Sequence, residues 1–241
     1  MTATPALTGA ERTAAKIGYL SETDLFQDLT SSELVEIDRK TTMQSCDRGR
    51  VFYLPGETGE VLFILKEGRV QLYRLSAEGR KLVFATLEKG TVFGEMSMIG
   101  QGMYDAFAEA AEPCMICVMS RRDVDELIRD KPQIAYRLLE LVAVRMQEME
   151  VQLEDIAFRS VPTRLATLLL RLAGDSKGEM PAEATVGGLT HQDLADMLGV
   201  YRETVTAALD NFRNNNLIAI GRRRLVLQDI ERLRELAAAS R

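Results

Sequence analysis

The spacing of apolar residues changes twice along the chain. Residues 1–20 are small and polar with no sustained period, which predicts a loose arm. Leu25, Phe26, Leu29, Leu34, Val35 and Ile37 then predict two short helices. The second opens at Thr30-Ser31-Ser32-Glu33, where a hydroxyl and a carboxylate can cap the first turn reciprocally. Between residues 50 and 120 the apolar runs are short: 51–54, 61–66, 69–75, 81–87, 91–93, 107–110 and 115–119. Glycines fall between them or at their ends, with hairpin turns expected at 66–69 and 77–80. Strands this short, at this density of turns, predict an antiparallel β-roll or jelly-roll domain.

Beyond Asp123 the spacing becomes helical. Pro132 suits a first helical turn, and nothing interrupts a helix from there to Phe158. Leu139, Val142, Met146, Met149, Leu153 and Ile156 recur at alternating steps of three and four, an a/d seam. A coiled-coil-like homodimer contact would use that spacing, and so would a single long helix packed on its own domain. The seam is shorter than the roughly three to four heptads that separate the two readings. Pro162 marks a hinge over residues 159–163, a helix is expected over 163–174, and 175–188 reads as a loop or a loose pair of short strands.

Residues 190–212 carry the most specific pattern. Two helices crossing through a tight turn need a small residue where they approach, which Ala195 supplies. The turn needs a residue that tolerates positive φ, which Gly199 supplies. Leu194, Leu198, Val200, Val205 and Leu209 are the apolar positions that lock the pair. The second helix is expected to begin near Tyr201, with Arg202, Glu203 and Thr206 outward at the end that enters a major groove. Arg202 can donate a bidentate pair to guanine O6 and N7, and Glu203 can accept from a cytosine amino group. In isolation the pair could equally be a solvated helix start. The next segment decides against that: an apolar run at 217–220, then Gly221-Arg222-Arg223-Arg224, then a second run at 225–227. This reads as a β-wing whose arginines meet a phosphate backbone.

Composition changes the picture little. With 46% hydrophobic and 27% charged residues the chain is that of a soluble globular protein, and no apolar run reaches membrane-span length. A cytoplasmic location is expected. The net charge of −6 is unevenly spread: residues 161–241 hold 11 Lys and Arg against 10 Asp and Glu, while residues 1–160 hold 19 against 26. Phosphate contacts act over about 10 Å, so a local basic face suffices for DNA.

The order of β-roll, long seam helix and winged helix-turn-helix, over residues 20–227, resembles the CRP/FNR (cyclic AMP receptor protein / fumarate-nitrate reduction regulator) family. The resemblance implies an α+β chain with an arm (1–20), a cyclic-nucleotide-binding-like β-roll sensor (21–130), a long dimerisation helix and hinge (131–160) and a winged helix-turn-helix domain (161–241). It implies a homodimeric regulator on double-stranded DNA, meeting RNA polymerase if it activates. Arg202-Glu203-Thr204-Val205 resembles the cyclic AMP branch, so Arg202 and Glu203 would read a palindrome related to TGTGA, with Tyr201, Thr204, Thr206, His191, Arg222, Arg223 and Arg224 around them. A further arginine of that branch, five positions on, is here Ala207.

The sensor departs from the same branch. Gly94-Glu95 matches its nucleotide-contacting pair, but Gly102-Met103-Tyr104-Asp105-Ala106-Phe107, where an Arg-Ser pair should hold the phosphate, has no cation. Asp105 would repel an anion there. Met149 and Glu150 stand where adenine-contacting hydroxyls are expected. Conventional cyclic AMP binding is therefore not expected, although Gly94, Glu95, Met96, Tyr104, Asp105 and Met149 remain the pocket candidates.

No cofactor is identified and the effector is left open. Three cysteines fall short of the four thiolates of an iron-sulfur cluster. His191, the one histidine, lies at the helix-turn-helix, where a phosphate contact or a cap is more natural than haem. Cys114 and Cys117 would face opposite sides of a strand, and Cys46 has Arg48 and Arg50 beside it. No nucleophile-base pair, phosphate loop or metal cluster points to an enzyme. The competing class is a nucleotide-binding regulatory module acting through protein contacts, which would not need the outward Arg202-Glu203 pair.

Overall fold

The computed structural model describes residues 18–56, 61–94, 106–174, 184–221 and 224–239. The chain forms two compact units, one of Met1–Arg74 with Ala85–Met146, the other of Leu75–Phe84 with Gln147–Arg241.

Residues 18–21 are helical, where the sequence reading had the end of the loose arm, and a 3-10 turn, Asp24–Phe26, and helix α1, Ser31–Lys40, follow. Both halves of the expected capping box form: the Glu33 N–H donates to the Thr30 hydroxyl, and the Thr30 N–H donates to the Glu33 carboxylate at 2.7 Å. Such a cap is worth about 1 kcal/mol. Lys131 also donates to Glu33 at 2.6 Å, and with the Thr30 bonds this holds the Glu33 carboxyl down at about 2. Leu20, placed by the sequence at the end of the loose arm, is instead fully buried, because its side chain joins the same apolar cluster as Leu25 and Phe26.

Along the described residues eight strands follow: β1 (Thr41–Cys46), β2 (Val51–Tyr53), β3 (Val61–Glu67), β4 (Val70–Leu75), β5 (Lys81–Leu87, whose first half is assigned to the second unit), β6 (Val92–Phe93), β7 (Phe107–Ala110) and β8 (Cys114–Ser120). They make two four-stranded sheets, ordered β1-β8-β3-β6 and β2-β7-β4-β5. Neighbours far apart in sequence, with β1–β8, β8–β3 and β3–β6 all antiparallel, are the crossovers of a jelly roll. Phe52 of the second sheet meets Phe63 and Phe93 of the first, with ring centroids 5.5 and 5.3 Å apart, so the aromatic core lies between the sheets. The outer face of the first sheet, with Leu62, Ile64, Cys117 and Met119, is covered by Leu34 and Ile37 of α1 and by Val124 and Leu127. Strand β3 is thus buried on both faces from Leu62 through Leu65, which is why those residues are a continuous apolar run, and Lys66 after them is buried too, its ammonium 6.0 Å from the centre of the Tyr19 ring.

Helix α2, Arg121–Asp130, is capped by Ser120 and supplies Val124 and Leu127 to that cover. Helix α3 runs from Gln133 to Phe158, just past Pro132, and Ile134 is its one buried residue.

In the second unit, helix α4 (Val161–Leu172) starts at the cap Ser160 with Pro162 in its first turn. Then come β9 (Thr185–Gly187), α5 (His191–Leu198), α6 (Arg202–Asn214), β10 (Ile218–Gly221), β11 (Arg224–Leu227) and α7 (Ile230–Ala238). Leu165 and Leu169 of α4, Leu194 of α5, Val205, Leu209 and Phe212 of α6, Leu225 of β11 and Leu233 of α7 share one core. The sheet order is β10-β11-β9, so the end of the segment read as a loop or a loose pair of short strands supplies the third strand.

Candidate nucleic-acid interface

Helix α5 starts at Thr190, whose hydroxyl accepts from the Asp193 N–H while the Asp193 carboxylate accepts from the Thr190 N–H at 2.7 Å. It ends at Gly199, held at φ 66°, the left-handed conformation expected there. The Val200 N–H returns to the Ala195 carbonyl at 3.1 Å, closing the turn over a fully buried Ala195. The Arg164 guanidinium of α4 donates to the Leu198 carbonyl and so ties down the end of α5. Asp196 on α5 is raised above the usual carboxylate range by burial, with the bond from the Gln192 amide opposing the shift.

Helix α6 begins after Tyr201, an extended residue that gives no side-chain cap. The Thr204 N–H turns back to the Tyr201 carbonyl at 3.1 Å, which leaves the Arg202 and Glu203 amides at the helix start to face an outside acceptor. Val205, Ala208, Leu209 and Phe212 are buried, whereas Tyr201, Arg202, Glu203, Thr204 and Ala207 are exposed. The arginine and glutamate thus project from the first turn of a helix whose opposite face is fixed in a core.

Two placements differ from expectation. Thr206 is half-buried and its hydroxyl lies 3.0 Å from Nδ1 of His191, so it joins the two helices and does not project freely. His191 is the first residue of α5, and the cap is Thr190. The wing hairpin is present, with Gly221 opposite Arg224 in register. Arg224 is exposed, while Arg222 and Arg223 lie outside the described residues.

Of the pocket candidates, Gly94 is buried at the end of β6 with φ 86°. Met149 is exposed on α3, and Glu95, Met96, Tyr104 and Asp105 lie outside the described residues. The seam residues Leu139, Met146, Met149, Leu153 and Ile156 are each more than half exposed, and Val142 is half-buried. Tyr136, Val144, Val151 and Phe158 are exposed as well, so the open apolar surface of α3 is broader than a strict a/d reading finds. Among the described residues no three His, Cys, Asp or Glu side chains gather as a metal site, and no helix is long and apolar enough to cross a membrane.

Residues 43–131 match the model of the cyclic nucleotide-binding domain, and residues 163–236 match that of the Crp-like helix-turn-helix domain. A CRP-like cAMP-activated global transcriptional regulator of Mycobacterium tuberculosis is 29% identical over 217 residues, covering 89% of this chain and 96% of that protein. The cAMP-activated global transcriptional regulator CRP of Pasteurella multocida is 30% identical over 165 residues, covering 68% and 79%. The chain belongs to the CRP/FNR family of transcription regulators. A CRP/FNR-family regulator from Thermus thermophilus has the same fold, with a TM-score of 0.70, 26% identity and coverage of 82% of this chain and 99% of the other. As a CRP/FNR member the chain is a transcription regulator with a helix-turn-helix DNA-binding domain, and helices α5 and α6 lie within the residues that match it.

Proposed function

We propose that this CRP/FNR regulator acts as a homodimer paired along α3 and reads a palindromic, TGTGA-like site with Arg202 and Glu203. The observation that carries the reading is the exposure of these two side chains on the uncapped first turn of a helix anchored by Phe212 and Leu209. Arg202 forks onto a guanine and Glu203 accepts from a cytosine amino group. The wing arginines contact phosphate, and the exposed stripe of α3 pairs the subunits so that two copies of α6 enter major grooves about 34 Å apart. Ala207, exposed on the same helix, leaves one position per half-site without an arginine contact.

Its effector differs from that of the cAMP-activated relatives, or it acts without one. Residues 102–107 offer no cation to a phosphate, and Met149 and Glu150 have no hydroxyl. A titration that found micromolar or tighter cyclic AMP binding would overturn this part.

Selection of bound sequences from random DNA identifies the site, and mobility shifts at several salt concentrations then test the residues. Arg202→Ala is expected to cost about 1 to 3 kcal/mol on the selected site and little on random DNA. Arg223→Ala is expected to weaken both alike and flatten the salt slope by about one unit. Equal loss on both DNAs for Arg202→Ala would remove the base-reading assignment.

A further inference from the structure

Among the described residues β1 is an edge strand paired with β8, and their antiparallel register sets Cys46 directly opposite Cys114. Residues opposed in this way share a face, with Cα atoms about 4.5 to 5.5 Å apart, inside the range that a disulfide spans. Cys46 reaches toward its neighbour, its Sγ lying 3.5 Å from the Cys114 carbonyl oxygen. The Cys114 thiol donates instead to the carbonyls of Arg69 and Glu112, at 3.3 and 3.1 Å. It fits there because residue 68 is glycine: a Cβ at that position would stand 2.7 Å from Cys114 Sγ. Cys117, three residues on, lies on the other face of β8, fully buried in the cluster beneath α1 and α2. Both Cys46 and Cys114 line a cavity of about 310 Å³ together with Asp47, Glu67 and Pro113.

We propose that Cys46 and Cys114 are a modifiable dithiol that closes to an intrachain disulfide when oxidised by hydrogen peroxide. The Cys46 thiolate attacks the peroxide O–O bond, becoming a sulfenic acid and releasing the first water once the departing oxygen is protonated. Rotation of Cys114 about its Cα–Cβ bond frees it from its two carbonyls, and its sulfur attacks the Cys46 sulfur. The S–O bond breaks, the S–S bond forms, and the Cys114 proton leaves in the second water. Two thiols lose two electrons and two protons, and one peroxide takes up both.

Cys46 is the attacking residue because it is half-exposed while Cys114 is buried. Burial pushes both thiols up, Cys114 to about 11, with Asp47 against Arg50 beside Cys46, and Glu112 and Cys46 itself raising Cys114. The reaction is consequently slow at neutral pH and gains speed as the thiolate forms. The carboxylates of Asp47 and Glu67 admit uncharged hydrogen peroxide and repel anionic disulfides such as oxidised glutathione.

The test treats the full-length protein with hydrogen peroxide, then counts thiols after denaturation and maps peptides by mass spectrometry. The three free thiols are expected to fall to one, with a Cys46–Cys114 linked peptide that a dithiol reductant releases. Between pH 7.0 and 8.5 the rate is expected to rise roughly 20- to 30-fold. Cys117→Ser retains the reaction and Cys46→Ser abolishes it, and circular dichroism establishes that both variants are folded. Three thiols persisting at pH 8.5 under excess peroxide would overturn the proposal. So would sulfinic acid on Cys46 without a link, or a disulfide found only between chains.

Discussion

Helices α3 and α6 each present a face that the described residues of their own chain leave open, and the two faces are chemically opposite. Helix α6 buries Val205, Ala208, Leu209 and Phe212 and turns Arg202, Glu203 and Thr204 outward. Water satisfies those groups, so this surface is complete when alone and gains only by meeting hydrogen-bonding edges of the right pattern. Helix α3 buries Ile134 alone and turns Leu139, Met146, Leu153 and Ile156 outward. Each costs about 25 cal/mol per Å² of apolar surface left in water, so this face is complete only against another apolar one. In the reading proposed above, the polar open face carries selectivity and the apolar one carries assembly.

The contrast can be broken from either side. Phe212→Ala removes the anchor of the inner face of α6 and is expected to cost about 3 to 5 kcal/mol in denaturant unfolding. A cost under about 1 kcal/mol would mean that the helix is not held from within. Leu153→Ala removes two leucines from the proposed twofold contact, about 3 kcal/mol in all. Sedimentation should then show a dimer dissociation constant raised about 100-fold. An unchanged constant would place subunit pairing elsewhere. Thr190→Ala deletes the hydroxyl half of the α5 box, and a loss of about 1 kcal/mol is expected by thermal unfolding, with little change for the first unit.

The smallest effect is a pH dependence belonging to the first unit. Glu33 is lowered from 4.5 to about 2 on folding, so its contribution is full above pH 4.5 and is lost as pH falls through about 2. Glu33→Gln should flatten the stability profile across that window. An unaltered acid limb would show that Lys131 and Thr30 do not hold the carboxylate in solution.

How far the sequence revealed this depended on whether a feature was local. The capping box at Thr30, the glycine turn at residue 199 and the run of β3 could all be read, because each is set by residues within one turn or one strand. Strand β1 was missed: Thr41–Cys46 holds one large aliphatic side chain, Met43, and as an edge strand it is held mainly by the backbone of β8. Thr206 shares a helix face with Arg202 at four residues' spacing, and only the crossing of α5 reveals that His191 stands over it. The pairing of Cys46 with Cys114 spans 68 residues and follows from strand order alone.

In the second unit's sheet, β11 lies in the middle, paired to β10 on one side and β9 on the other. A nonsense codon just after Gly221 would therefore do more than trim a wing. It would leave two ribbons without a mate, one of them encoded ahead of the helix-turn-helix, so premature termination near the carboxyl end should behave genetically as a complete loss of DNA recognition.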